Sequence, residues 1–186
     1  MPRLPDHRRA AVAALAVASL LPLAGCTSSS EPPPPGWNTE VVAVADLDGD
    51  GPLDVLSATT VFTTVYQPGY LTVRRQSGTS PGTFDAPLRT STCLDPTALA
   101  LGDVDGDGRP DVAVACGATA GTGFEVALHL QTSSQPVTFG PPTSLSTGDA
   151  QPSSIRLADL DGDGRLDVAT ADFGAPTVSV LYNRKP

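Results

Sequence analysis

Apolar residues in this chain fall in short runs separated by turn-forming residues. One set comprises Val41-Val42-Ala43-Val44-Ala45, Ala98-Leu99-Ala100-Leu101 and Ile155-Arg156-Leu157-Ala158. A polar loop follows each, and then a second run: Val55-Leu56, Val112-Ala113-Val114-Ala115 or Val168-Ala169-Thr170. Runs this short, bounded by Gly, Asp and Pro, read as strands, so each loop caps a hairpin. The first run of each pair is almost continuously apolar, which predicts a strand buried on both faces.

A third set follows in Tyr70-Leu71-Thr72-Val73, Phe124-Glu125-Val126-Ala127-Leu128 and Thr177-Val178-Ser179-Val180-Leu181. A fourth, Phe84 to Arg89 and Phe139 to Leu145, occurs only twice and contains Pro87, Pro141 and Pro142. Proline removes a ladder donor, which places these strands at an edge. The pattern predicts an all-β fold of four-stranded antiparallel units, the third lacking its outer strand. Sheets of this kind set around an axis form a β-propeller, and closed propellers use about four to eight of them. About three blades therefore predict an incomplete propeller, an open arc whose end faces invite association of copies into a homo-oligomer.

The loops repeat one motif. It reads Asp46-Leu47-Asp48-Gly49-Asp50-Gly51-Pro52-Leu53-Asp54, then Asp103-Val104-Asp105-Gly106-Asp107-Gly108-Arg109-Pro110-Asp111, then Asp159-Leu160-Asp161-Gly162-Asp163-Gly164-Arg165-Leu166-Asp167. Successive copies lie 57 and 56 residues apart, a period that marks a repeat architecture. Like charge at this density repels itself unless a cation is present. Calcium takes six to eight oxygen ligands at ~2.3–2.6 Å. Aspartates at positions 1, 3 and 5 supply carboxylates to one concave side, and Asp54, Asp111 and Asp167 at position 9 close the cage. Position 7 offers a backbone carbonyl, from Pro52, Arg109 or Arg165. The expected cofactor is calcium, up to three ions. Zinc would require His or Cys ligands, and magnesium prefers a site that keeps its waters.

Composition fits this reading. The chain has 18 Gly, 19 Pro and only 5% aromatic residues among 186, as expected of short elements joined by turns. Its formal net charge is -9, which argues against nucleic acid as a partner. The motifs hold 12 of the 20 Asp and Glu, so the acid is local rather than spread over the surface.

The loops begin like an EF-hand, but position 12 is Ser57, Val114 or Thr170 where an EF-hand has Glu, and strands flank them where it has helices. Residues 39–186 instead resemble the FG-GAP and VCBS repeats, including those of the integrin α-chain propeller. Asp159 through Asn183 resembles the family along its whole length, Asp172-Phe173-Gly174-Ala175-Pro176 included. The resemblance implies calcium loops between the first and second strands of each blade, on one face, and partners bound on the opposite face. The units fall at about 39–92, 93–146 and 150–186.

The first 25 residues have a different character. Arg3, His7, Arg8 and Arg9 precede an apolar run from Ala10 to Leu21. That run is too short for a mature transmembrane helix, and the layout is that of a secretory signal peptide. Leu23-Ala24-Gly25-Cys26 looks like a bacterial lipobox, which implies cleavage before Cys26 and its acylation. Residues 26–38, with Pro32 to Pro35 in a row, read as a Ser- and Pro-rich tether. The same resemblance implies that Thr27 after the cysteine directs the anchor, in a host with two membranes, to the outer membrane or cell surface.

Cys93 and Cys116 flank one predicted hairpin and are either a disulfide or two buried thiols. His129 is expected on a strand surface, Trp37 against the first blade, and Arg74 and Arg75 as a solvated pair. No nucleophile elbow, phosphate loop or zinc motif occurs. The sequence therefore predicts a non-enzymatic, lipid-anchored module that recognises a protein or glycan at the cell surface. The alternatives are an enzyme or enzyme-accessory propeller and a purely structural envelope lipoprotein. The loops expected to meet a partner are about Ala58 to Gly69 and Gly117 to Gly123.

Overall fold

Each Asp-Gly-Asp-Gly loop turns the chain back on itself and starts an antiparallel sheet. Its glycines at positions 4 and 6 adopt left-handed backbone angles, +77° and +103° in the first loop and +82° and +86° in the third, which residues with a Cβ resist. The computed structural model describes residues 37–61, 67–119, 123–174 and 176–184, all within the compact unit Pro33–Pro186. The signal peptide, Cys26, most of the tether and the side chain of Trp37 lie outside the described residues, as do the middles of both expected partner loops.

The first sheet is β1 (Trp37–Ala45), β2 (Asp54–Val61), β3 (Tyr70–Arg74) and β4 (Leu88–Ser91), in that order. The second comprises β5 (Pro96–Gly102), β6 (Asp111–Thr119), β7 (Gly123–His129) and β10 (Thr143–Gly148), again in chain order. Between β7 and β10 a small hairpin forms from β8 (Gln131–Ser134) and β9 (Val137–Phe139). The third sheet has three strands, β11 (Gln151–Ala158), β12 (Asp167–Phe173) and β13 (Val178–Leu181). Every pairing is antiparallel, and no helix occurs among the described residues. The fold is an incomplete β-propeller of three blades, the third without an outer strand.

The sheets stack face to face. Strand β5 lies against β1 and β2, and β11 lies against β5, β6 and β7. Strand β6 is central, and alternate residues serve two cores, as the period of two requires. Val112, Val114 and Cys116 join Leu56, Ala58, Leu71 and Val73 of the first sheet. Ala113 and Ala115 join Val126, Ile155 and Val168 toward the third.

Four expectations are corrected. The first strand is not buried on both faces: Val42 and Val44 are 64% and 58% exposed. A first strand lies at the sheet edge, and among the described residues no blade covers the outer face of β1; β2, β6 and β12 carry the deeper burial. The fourth strands begin later than expected, after their prolines, while Phe84 bridges to Gln76 and Phe139 lies in β9. His129 is fully buried, because it sits opposite Val112 in β7, an inner strand of the central blade. Arg75 is not solvated with Arg74; its guanidinium pairs with Asp48 at 2.8 Å and with Asp85.

Two smaller devices act within single blades. Cys93 Sγ and Cys116 Sγ are bonded, joining the entrance of the second blade to its central strand. Near the end of β12, Asp172 accepts hydrogen bonds from the hydroxyls of Thr170, Thr177 and Ser179 at 3.0–3.1 Å.

Candidate metal centre

The aspartate at position 1 of each loop shapes it. Asp46 Oδ1 accepts the N–H groups of Gly49 at 2.8 Å and Asp50 at 3.1 Å, and its Oδ2 accepts that of Gly51 at 3.0 Å. Asp103 receives Gly106, Asp107 and Gly108 in the same way, and Asp159 receives Gly162, Asp163 and Gly164. The loop wraps its own first carboxylate, which leaves the neighbouring side chains directed to a shared space.

Three groups of carboxylates converge there. Asp46, Asp48 and Asp50 form the first, Asp103, Asp105 and Asp111 the second, and Asp159, Asp161 and Asp167 the third. Within each group one oxygen per residue lies within 4.8 Å of the others. These donors are all hard oxygens, and each group could hold a metal ion. The position 5 aspartates of the second and third loops stand apart from their groups. Asp107 pairs with the guanidinium of Arg109, and Asp163 with that of Arg165. In the first loop, where position 7 is Pro52, the arginine comes from elsewhere: Arg75 holds Asp48.

The position 9 aspartates have a second task that the sequence did not reveal. Asp54 Oδ2 accepts the N–H of Leu47 at 3.0 Å, and its Oδ1 that of Gln76 at 2.7 Å. Asp111 bridges Val104 and Gln131, both at 2.8 Å, and Asp167 bridges Leu160 at 2.9 Å and Asn183 at 2.8 Å. Each therefore staples its loop to the residue that leaves the third strand. Burial raises the pKa of Asp54 and Asp111 above the ordinary 3.8, against the pull of those N–H donors. Asp167 is lowered instead, chiefly by the N–H groups of Asn183 and Leu160. Asp50 is raised, by desolvation first and then by Asp48 and Asp46 beside it.

The residues receiving those staples join one blade to the next. Gln131 Nε2 donates to the carbonyl of Leu47 in the preceding blade at 2.8 Å, and Asn183 Nδ2 donates to that of Val104 at 2.8 Å. Both acceptors occupy loop position 2. Spacing from the motif does not reveal these amides, since Gln131 lies 20 residues after Asp111 and Asn183 only 16 after Asp167. A usable signal was their distance from the third strand: Gln76, Gln131 and Asn183 each lie three residues beyond an apolar strand position, Val73, Leu128 or Val180.

A family model described as FG-GAP-like repeat matches residues 59–114 and again 116–170, together more than half of the chain. No curated protein matches it.

Proposed function

Because the chain belongs to the FG-GAP-like repeat family, we propose that it is a calcium-stabilised recognition module, exported and held at the cell envelope by lipid on Cys26. One observation carries the reading: a cluster of three carboxylates recurs at the same hairpin of each blade, from loop positions 1, 3 and 5 in the first and from positions 1, 3 and 9 in the second and third. In this reading Asp46, Asp48, Asp50, Asp54 and the Pro52 carbonyl hold one ion. The equivalent sets with Asp103, Asp105, Asp107, Asp111 and Arg109, and with Asp159, Asp161, Asp163, Asp167 and Arg165, hold two more. Calcium supplies charge neutralisation there and no chemistry on a substrate. Once residues 1–25 are removed the chain carries 8 basic and 19 acidic residues, so three ions would take it from -11 to -5.

Binding, not catalysis, is the proposed activity, with a protein or glycan at the cell surface as partner. The support is that the clustered acids are committed to the loops and to blade staples. Calorimetric titration of the chain with calcium tests the first part; three sites are expected, and no heat of uptake would end the proposal. A glycan array and a pull-down from envelope extract, each with calcium and with EGTA, test recognition. The anchor is tested by labelling cells with a tagged fatty acid, where the label is expected on the chain and absent after Cys26→Ser.

A further inference from the structure

The joint between blades is made twice inside this chain, by equivalent residues each time. Leu99 and Leu101 of β5 pack into the face that Leu56, Ala58, Leu71 and Val73 present. Ile155 and Leu157 of β11 pack into the face of Ala113, Ala115, Val126 and Leu128, 56 residues further along. Beside the apolar contact, an amide closes each joint, Gln131 onto Leu47 O and Asn183 onto Val104 O. One blade supplies a plug and an amide; the blade before it supplies a socket and a carbonyl.

Among the described residues, both halves of this joint also occur unmated. Val42 and Val44 stand where Leu99 and Leu101 stand in the second blade, 57 residues earlier, and are mostly exposed. Leu53, equivalent to Leu166, is exposed beside them, and Gln76 holds the place of Gln131 and Asn183. At the other end, Ala169 pairs with Val180 and Ala171 with Val178, which reproduces the socket. Val178 and the adjoining Phe173 are 67% and 70% exposed. Leu160 supplies the carbonyl at loop position 2.

We propose that the socket of the third blade receives the plug of the first blade of a second copy, head to tail, through the joint already made twice within the chain. A second copy is the occupant because its plug has been tested in kind: the same positions of the same repeat fill the same socket inside this molecule. The contact is heterologous, since plug and socket are different surfaces, and such contacts either close into a ring or propagate. Two copies joined at both ends would set six sheets around one axis, within the range of about four to eight that closed propellers use.

The internal joint also supplies the probe. A Cβ built on Gly102 would lie 3.7 Å from Leu157 Cβ, within the span of roughly 3.5–4.5 Å that a disulfide bridges. The positions equivalent to Gly102 and Leu157 across the proposed contact are Ala158 of one copy and Val44 of the other, both exposed. Full-length chains carrying Ala158→Cys alone and Val44→Cys alone are mixed in calcium under mild oxidation, and the products are read on a non-reducing gel. A covalent dimer is expected from the mixture and not from either chain by itself, with Cys26 common to every sample. A dimer from Ala158→Cys alone would overturn the head-to-tail arrangement. Absence of a mixed dimer, together with a monomer mass by light scattering of the unmodified chain, would overturn the contact itself. Val44→Asp places a charge on a side chain that is exposed in the single chain, so the fold should keep its circular dichroism. Its self-association is expected to weaken by at least about a hundredfold; unchanged association would also overturn the proposal.

Discussion

Gln131 Nε2 lies 2.8 Å from the carbonyl oxygen of Leu47, so that one amide side chain fastens the second blade to the Asp-rich loop of the first. Both partners are buried. The same amide also reaches the Ser133 carbonyl at 3.2 Å, while Gln131 Oε1 is buried without a partner. Removing the donor strands the Leu47 carbonyl away from water. Gln131→Ala is therefore expected to cost about 1–3 kcal/mol in urea unfolding. Asn183→Ala, at a partly exposed site, should cost about 0.5–1.5 kcal/mol. Equal losses at the two sites would contradict the role given to burial.

Asp105 and Asp111 belong to one carboxylate group but do different work. Asp105 is exposed, and its carboxylate accepts the N–H of Asp107 at 3.1 Å. Asp111 is inaccessible and satisfies the N–H groups of Val104 and Gln131. With calcium chelated, Asp105→Ala is expected to change stability by less than about 0.5 kcal/mol. Asp111→Ala should cost about 2–5 kcal/mol, from two stranded donors. With calcium in excess, wild type should gain roughly 1.4 kcal/mol per site at ten times Kd, and Asp105→Ala should lose the share of one site. Melting curves in EGTA and in calcium separate the two roles. Melting that does not respond to calcium in any variant would remove the stabilising role of the ion.

Much of this arrangement was legible in the chain. The three motifs and their flanking runs fixed the hairpins, because a period-two strand on each side of an Asp-Gly turn has few alternatives. The residues Asp46 to Asp50 could be grouped from spacing alone, since they lie within one turn. The joints could not. Whether β1 is covered depends on which blades flank it, and Val42 looks the same in sequence as Leu99. His129 was misread for a related reason: an isolated histidine in a strand carries no sign of how many sheets lie over it. Gln131 and Asn183 escaped notice because the segments joining the second strand to the third, β6 to β7 and β12 to β13, differ in length, which shifts the amides relative to the motif.

The bond between Cys93 and Cys116 closes a loop of 23 residues across the entrance of the second blade. Chain-entropy arguments give such a loop about 3 kcal/mol of stabilisation. Both cysteines lie in the core shared by the first and second sheets. Reduction should therefore lower the stability of that joint, and so of the whole described unit, by a similar amount. Cys93→Ala with Cys116→Ala, compared with wild type in urea with and without reductant, measures this. The reductant should have no further effect on the double variant. A reductant effect that persists there would assign the loss to something other than this bond.

Burial lowers the pKa of His129 below its ordinary 6.5, and the nearby Gly140 backbone offsets this only in part. Its Nε2 is 2.9 Å from Thr92 Oγ1, and its Nδ1 has no well-formed hydrogen bond. The neutral ring is thus the form that the folded chain accommodates. Below pH 6.5 the unfolded chain takes up a proton that the folded chain refuses, so stability falls as pH drops. The slope approaches at most about 1.4 kcal/mol per pH unit for one proton. Asp54 and Asp111, raised by burial, act in the opposite sense: the folded chain holds their protons more tightly, so they favour folding at lower pH. A difference measurement isolates the histidine. The stability of wild type minus that of His129→Gln, from urea unfolding at pH 7.5, 6.5 and 5.5, is expected to decline toward acid. A difference that stays flat, or rises, would mean that the ring is charged in the folded chain or exposed to solvent, and the packing between the first two blades would need to be redrawn.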